Sequence, residues 1–166
     1  MSILTQLQAE VRQVNELNGW FDRERPFSAD IALLHSEVSE LFGGLELNDA
    51  ANVAEEFADI LIRLLDTAER RKWNLERERE FTWPDPMMGT LHLGQSPARV
   101  AARLHRRISE MYEAYRNAED VEAEACIFLR LLHRLAGQHN VDLFLAVTQK
   151  LHRNRERGYR HGGKVE

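Results

Sequence analysis

Apolar residues recur at helical spacing along almost the whole chain, and no stretch shows the sustained alternation of a half-buried strand. That one periodicity restricts the chain to all-α folds. A first helix is expected over about Ile3–Leu17, ending before the "NGW" turn at Asn18–Trp20. A second begins near Ser28, which can cap it, and stops at Gly43–Gly44. A third runs from Asn48 or Asp49 to about Trp73. The stretch "FTWPDPMMGTLHLGQSP" (81–97) gathers three of the four prolines and reads as a linker, its closing Ser-Pro being a helix start. A fourth helix then reaches about Arg116, a fifth spans Asp120 to Gly137, and a sixth runs from Val141 into the basic end of the chain.

At 166 residues these helices fit a single domain with a real core. With 43% hydrophobic and 30% charged residues the chain is expected to fold, and no apolar run is long enough to span a bilayer. No secretory leader is recognised, so a cytoplasmic location without a membrane partner is expected. Cys126 is the one cysteine, which excludes an internal disulfide and a thiolate cage for zinc. A formal charge of −5 argues against a general nucleic-acid binder. Yet residues 150–164, "KLHRNRERGYRHGGK", set six Lys and Arg residues against the single acid Glu156.

The two sides of the linker resemble each other. "LLHSEVSELF" (33–42) can be laid on "RLHRRISEMY" (103–112), pairing His35 with His105. "ADILIRLL" (58–65) matches "ACIFLRLL" (125–132), with Arg63 opposite Arg130. Two matches in the same order suggest a helical bundle built from two related hairpins by internal duplication. The chain then divides into a first half (1–78), a linker (79–96), a second copy (97–149) and a basic tail (150–166).

Two carboxylate pairs stand out, Glu37-x-x-Glu40 on the second helix and Glu56-x-x-Asp59 on the third. The apolar stripe of the second helix is Ile31, Leu34, Val38, Leu41 and Leu45. Glu37 lies roughly 80° and Glu40 about 140° from its centre. Relative to Val53, Phe57, Ile60, Leu61, Leu64 and Ala68, Glu56 and Asp59 are offset by about 100° and 160° in the same sense. Antiparallel neighbours packed stripe to stripe therefore bring all four acids to one side. So many like charges call for a cation, and hard carboxylate oxygens suit Mg²⁺ or Mn²⁺. A di-iron bundle would want Glu-x-x-His, which the sequence lacks. His35, Trp73, Trp83 and Cys126 read as packing or linker residues.

Together, these features resemble the MazG-like, all-α nucleoside triphosphate pyrophosphohydrolases. The resemblance covers 18–42, 53–66 and the Lys-x-x-x-Asn-x-x-Arg and His-Gly-Gly-Lys pattern of 150–164, while 76–140 departs from the compact family pattern. It implies hydrolysis of a nucleoside or deoxynucleoside triphosphate to monophosphate and pyrophosphate, as in nucleotide-pool house-cleaning. By resemblance, Glu37, Glu40, Glu56 and Asp59 hold Mg²⁺, and one of them, Glu37 foremost, orients the attacking water. Lys150, Asn154 and Arg157 face the phosphates, Arg160, His161 and Lys164 close over them, and Trp20 lies against the base. Relatives assemble from several protomers; here the second hairpin stands in for a neighbour, and whole chains can pair as a homodimer. The competing expectation is a helical binding or regulatory protein that keeps this fold without turnover.

Overall fold

The computed structural model describes residues 3–22, 24–76 and 96–156, and every regular element among them is an α-helix. In chain order these are α1 (Ile3–Leu17), α2 (Phe27–Glu46), α3 (Ala50–Arg71), α4 (Pro97–Arg116), α5 (Val121–Gln138) and α6 (Leu143–Glu156). The expected all-α architecture is thus realised as six helices among the described residues. None of them is long and apolar enough to cross a membrane. The linker expected over 79–96 lies, apart from Ser96, outside the described residues, as do Trp83, Arg157, Arg160, His161 and Lys164.

Three helix ends differ from those expected. α2 is capped by Pro26 rather than Ser28, in extended backbone with no side-chain cap bond. It also continues through Gly43–Gly44 to Glu46. Glycine weakens a helix without ending it, and Gly44 has a packing reason to be there. A Cβ at Gly44 would stand 2.7 Å from Asn52 Nδ2, so the bare backbone lets α3 approach. The chain turns instead at Asn48, whose φ of 52° is left-handed, a conformation asparagine tolerates. Asp49 then caps α3, accepting from the Asn52 N–H at 3.1 Å. α6 starts at Leu143 rather than Val141 because Asp142 accepts from the Leu145 N–H at 3.1 Å and so holds its first turn.

α2 and α3 are antiparallel: Gly44 meets Asn52 near the turn, and Glu37 meets Arg63 farther along. Both apolar stripes named from the sequence are buried in full. α4 packs on α2, α5 on α4 and α3, and α6 against α3 and α1. Phe57 and Phe128 are wholly enclosed, and burying a side chain of this class stabilises by about 1.5–3 kcal/mol. Trp73 packs edge-on to Phe27 at 5.9 Å, the packing role expected of it.

The two hairpins share local features. After α2, the N–H groups of Leu47, Asn48 and Asp49 donate to the carbonyls of Gly43, Leu45 and Gly44. After α4, those of Asn117, Ala118 and Glu119 donate to Glu113, Tyr115 and Ala114 in the same pattern. α2 and α4 are both 20 residues long, and Asp49 and Asp120 cap the helices that follow.

Candidate metal centre

On α3, Glu56, Asp59, Arg63 and Asp66 recur at helical spacing and so occupy one edge. α2 brings Glu37 to that edge. One oxygen from each of Glu37, Glu56 and Asp59 lies within 4.8 Å of the others. Three of the four predicted carboxylates therefore converge. Glu40 stands outside this triad at the exposed rim, accepting from Ser36 Oγ at 3.4 Å, although its charge still acts on Glu56.

Packing against α3, α6 sets Lys150 over the same edge, 6% exposed. Lys150 Nζ donates to Asp59 Oδ2 at 2.6 Å and to Glu55 Oε1 at 2.5 Å. Arg63 Nε donates to Glu37 Oε1 at 2.9 Å. Glu56 differs: it is 8% exposed, and its Oε2 is buried with no hydrogen-bond partner among the described residues.

The electrostatics follow from this placement. Burial, then the like charges of Asp59, Glu40 and Glu37, push the Glu56 carboxyl up to about 7 against an opposing pull from Lys150. Burial raises Asp59 as well, and its bond to Lys150 offsets part of the effect. For Lys150, burial disfavours the charge, but the bonds to Asp59 and Glu55 outweigh it and the ammonium is raised overall.

A cavity of about 140 Å³ adjoins the cluster, lined in part by Glu37, Asp59, Lys150, Asn154, Asn18 and Trp20. It has room for a few waters at about 30 Å³ each. Asn154 Oδ1 is a second buried acceptor without a partner among the described residues. The loop carrying Trp20 is held from below. Arg70 Nη2 donates to the Trp20 carbonyl at 2.6 Å, and the Arg70 guanidinium lies 4.0 Å from the Phe21 ring centre. Asp66, 2% exposed, accepts from Asn15 at 2.9 Å, from Arg70 at 3.2 Å and from Arg25. Arg25 also donates to the buried Asp30 at 2.5 Å.

Of the residues singled out from sequence, Glu37, Glu56, Asp59, Lys150, Asn154 and Trp20 thus come together, with Glu40 at the rim. His35 turns elsewhere, its ring stacked on His105 with the two Nδ1 atoms 2.7 Å apart. Cys126 is buried with Sγ 3.6 Å from the Leu75 carbonyl, a packing position. Glu55, Arg25, Asp30 and Asp66 join the surroundings of the site without an expectation from sequence, and so does Arg63. Helical spacing from Glu56 and Asp59 was a usable signal for Arg63 and Asp66. Arg25 and Glu55 left none.

The donor set suits a hard divalent cation. Oxygens on opposite sides of Mg²⁺ lie about 4 Å apart, so a 4.8 Å spread closes with small rotamer shifts. The unpartnered Glu56 oxygen is an acceptor such an ion would satisfy. Protein-family models, curated proteins and solved structures yield no match to the chain.

Proposed function

We propose that the chain is a magnesium-dependent hydrolase that splits nucleoside or deoxynucleoside triphosphates into the monophosphate and pyrophosphate. The observation that carries this reading is the largely buried carboxylate triad, whose Glu56 oxygen has no donor among the described residues, beside a cavity that also receives Lys150 and Asn154. Glu37, Glu56 and Asp59 would hold Mg²⁺, or Mn²⁺ with the same donor preference, and Glu40 would serve from the rim. Bound there, the ion supplies charge neutralisation for the phosphate oxygens and the departing pyrophosphate.

The protein's own groups divide the remaining work. Glu37 is already engaged by Arg63, so Glu56 is better suited than Glu37 to hold the attacking water and accept its proton. Lys150 and Asn154 offer a charge and an amide to phosphate oxygens. The family resemblance extends that set to Arg157, Arg160, His161 and Lys164, and sets Trp20 beside the base. We also infer that α2–α3 and α4–α5 are copies of one hairpin, supported by their equal first helices, matching turns and equivalent Asp caps.

A specific observation favours one alternative, a nucleotide-binding or regulatory protein without turnover. Lys150 and Arg63 compensate Asp59 and Glu37 with no metal involved. The deciding experiment assays a panel of triphosphates for pyrophosphate release with Mg²⁺. Monophosphate and pyrophosphate are the expected products, and a chelator should abolish them. Orthophosphate as first product, or full activity without a divalent cation, rejects the hydrolase reading. Nucleotide binding without any turnover selects the alternative.

A further inference from the structure

Lys150 is 6% exposed, and a buried ammonium is tolerable only when paired. Its partners are Glu55 Oε1 at 2.5 Å and Asp59 Oδ2 at 2.6 Å. Asp59 is also one of the three acids whose oxygens lie within 4.8 Å of one another. One carboxylate therefore faces two claims, from an ammonium already in contact and from the ion that the triad suits.

The two claims oppose each other, because an ammonium and a divalent cation sharing one largely buried carboxylate repel. The group able to yield is the lysine, whose four-carbon stem swings while the aspartate stem is short. Two features favour its release. Glu55 lies outside the triad and remains as a second anchor. Lys150 also lines the cavity of about 140 Å³, which has room for the displaced ammonium.

We propose that Lys150 is a tethered counter-cation that holds Asp59 until a divalent ion displaces it, so that metal loading turns the ammonium toward the cavity. This rests on the triad being a metal site, and it adds an order of events to that reading. The ion enters first. The freed ammonium then meets the phosphate oxygens of an anionic ligand, which gains a positive partner only after loading.

The test titrates Mg²⁺ or Mn²⁺ alone, without nucleotide, into the wild type, Lys150→Met, Lys150→Arg and Glu56→Gln. Removing the competing charge in Lys150→Met should tighten metal binding by about tenfold or more, whereas Lys150→Arg should keep the weaker wild-type affinity. Equal or weaker binding by Lys150→Met overturns the proposal. Because that variant leaves Asp59 unpaired and can fail to fold, the wild type provides a second measurement. Its Lys150 ammonium NMR signal, assigned by its loss in Lys150→Arg, should be protected from exchange without metal and lose protection at Mg²⁺ saturation. Protection unchanged at saturation also overturns it. Metal binding absent from both wild type and Lys150→Met rejects the triad as a metal site, and this inference with it. Wild-type binding that is lost in Glu56→Gln but not strengthened in Lys150→Met rejects only the role of Lys150.

Discussion

Glu56 is buried, has an oxygen without a donor among the described residues and shares its surroundings with Asp59, Glu40 and Glu37. Its carboxyl is raised from 4.5 to about 7, and Asp59 is raised in the same direction. Between those two pH values the folded protein holds protons that the unfolded chain has released. Stability of the metal-free protein should therefore fall as pH rises through that window. Melting curves at about pH 5 and about pH 8 should show it, with Mg²⁺ restoring the loss at the higher pH. Glu56→Gln removes the charge, so it should flatten the slope, raise the metal-free melting temperature by roughly 2–4 °C and cancel the Mg²⁺ effect. A slope that survives in the variant would assign the pH dependence to other groups. The convergence of Glu37, Glu56 and Asp59 was legible from sequence because all three belong to adjacent helices joined by a short turn. Lys150 was expected there facing phosphates, by resemblance, but its bond to Asp59 was not, since it spans 91 residues of chain and no local pattern records such a contact.

Helix existence was legible throughout, whereas helix ends depended on contacts between elements. Gly43–Gly44 reads as a stop by local propensity, yet α2 runs through it to Glu46. The two glycines differ physically. A Cβ at Gly43 would meet nothing within 4 Å, while one at Gly44 would press on Asn52 Nδ2 at 2.7 Å and Val53 Cγ2 at 3.4 Å. Gly43→Ala should thus stabilise the protein by about 0.5–1 kcal/mol through reduced backbone freedom in the unfolded chain. Gly44→Ala should gain less, because the Asn52 amide at the start of α3 has to swing aside. Urea denaturation of the two single variants checks this, and equal gains at both positions would show that α2 and α3 are not held at this close approach. The start of α3 was legible to within a residue, as Asn48 or Asp49, because a capping side chain such as that of Asp49 needs only the backbone three residues on.

At the scale of the molecule, α4 lies antiparallel on α2, with Phe27 near Tyr112 and His35 against His105. Where α2–α3 and α4–α5 are read as copies, His35 and His105 are equivalent, and a residue that meets its own copy marks a two-fold axis. The same equivalence sets Arg107 opposite Glu37, Glu110 opposite Glu40, Ala123 opposite Glu56 and Cys126 opposite Asp59. Arg107 Nη1 donates to Glu110 Oε2 at 2.7 Å and lies 3.9 Å from Glu124 Oε2. Where the first hairpin gathers acids suited to an ion, the second carries its own guanidinium, and a fixed positive charge repels a divalent cation. The matched segments at 33–42 and 103–112 suggested related halves but not that α4 would lie on α2, whereas the return of the last helix to the first hairpin was expected from the resemblance at 150–164 and α6 does pack on α3. On the proposed function and the proposed duplication, one metal-dependent nucleotide site per chain is expected, whether or not chains pair further. Calorimetric titration with a non-hydrolysable triphosphate analogue and Mg²⁺ should give one equivalent per polypeptide, and Mn²⁺ should broaden NMR signals around Glu56 while sparing those around Glu110. Two equivalents, or broadening centred on Glu110, would make the second hairpin a working site.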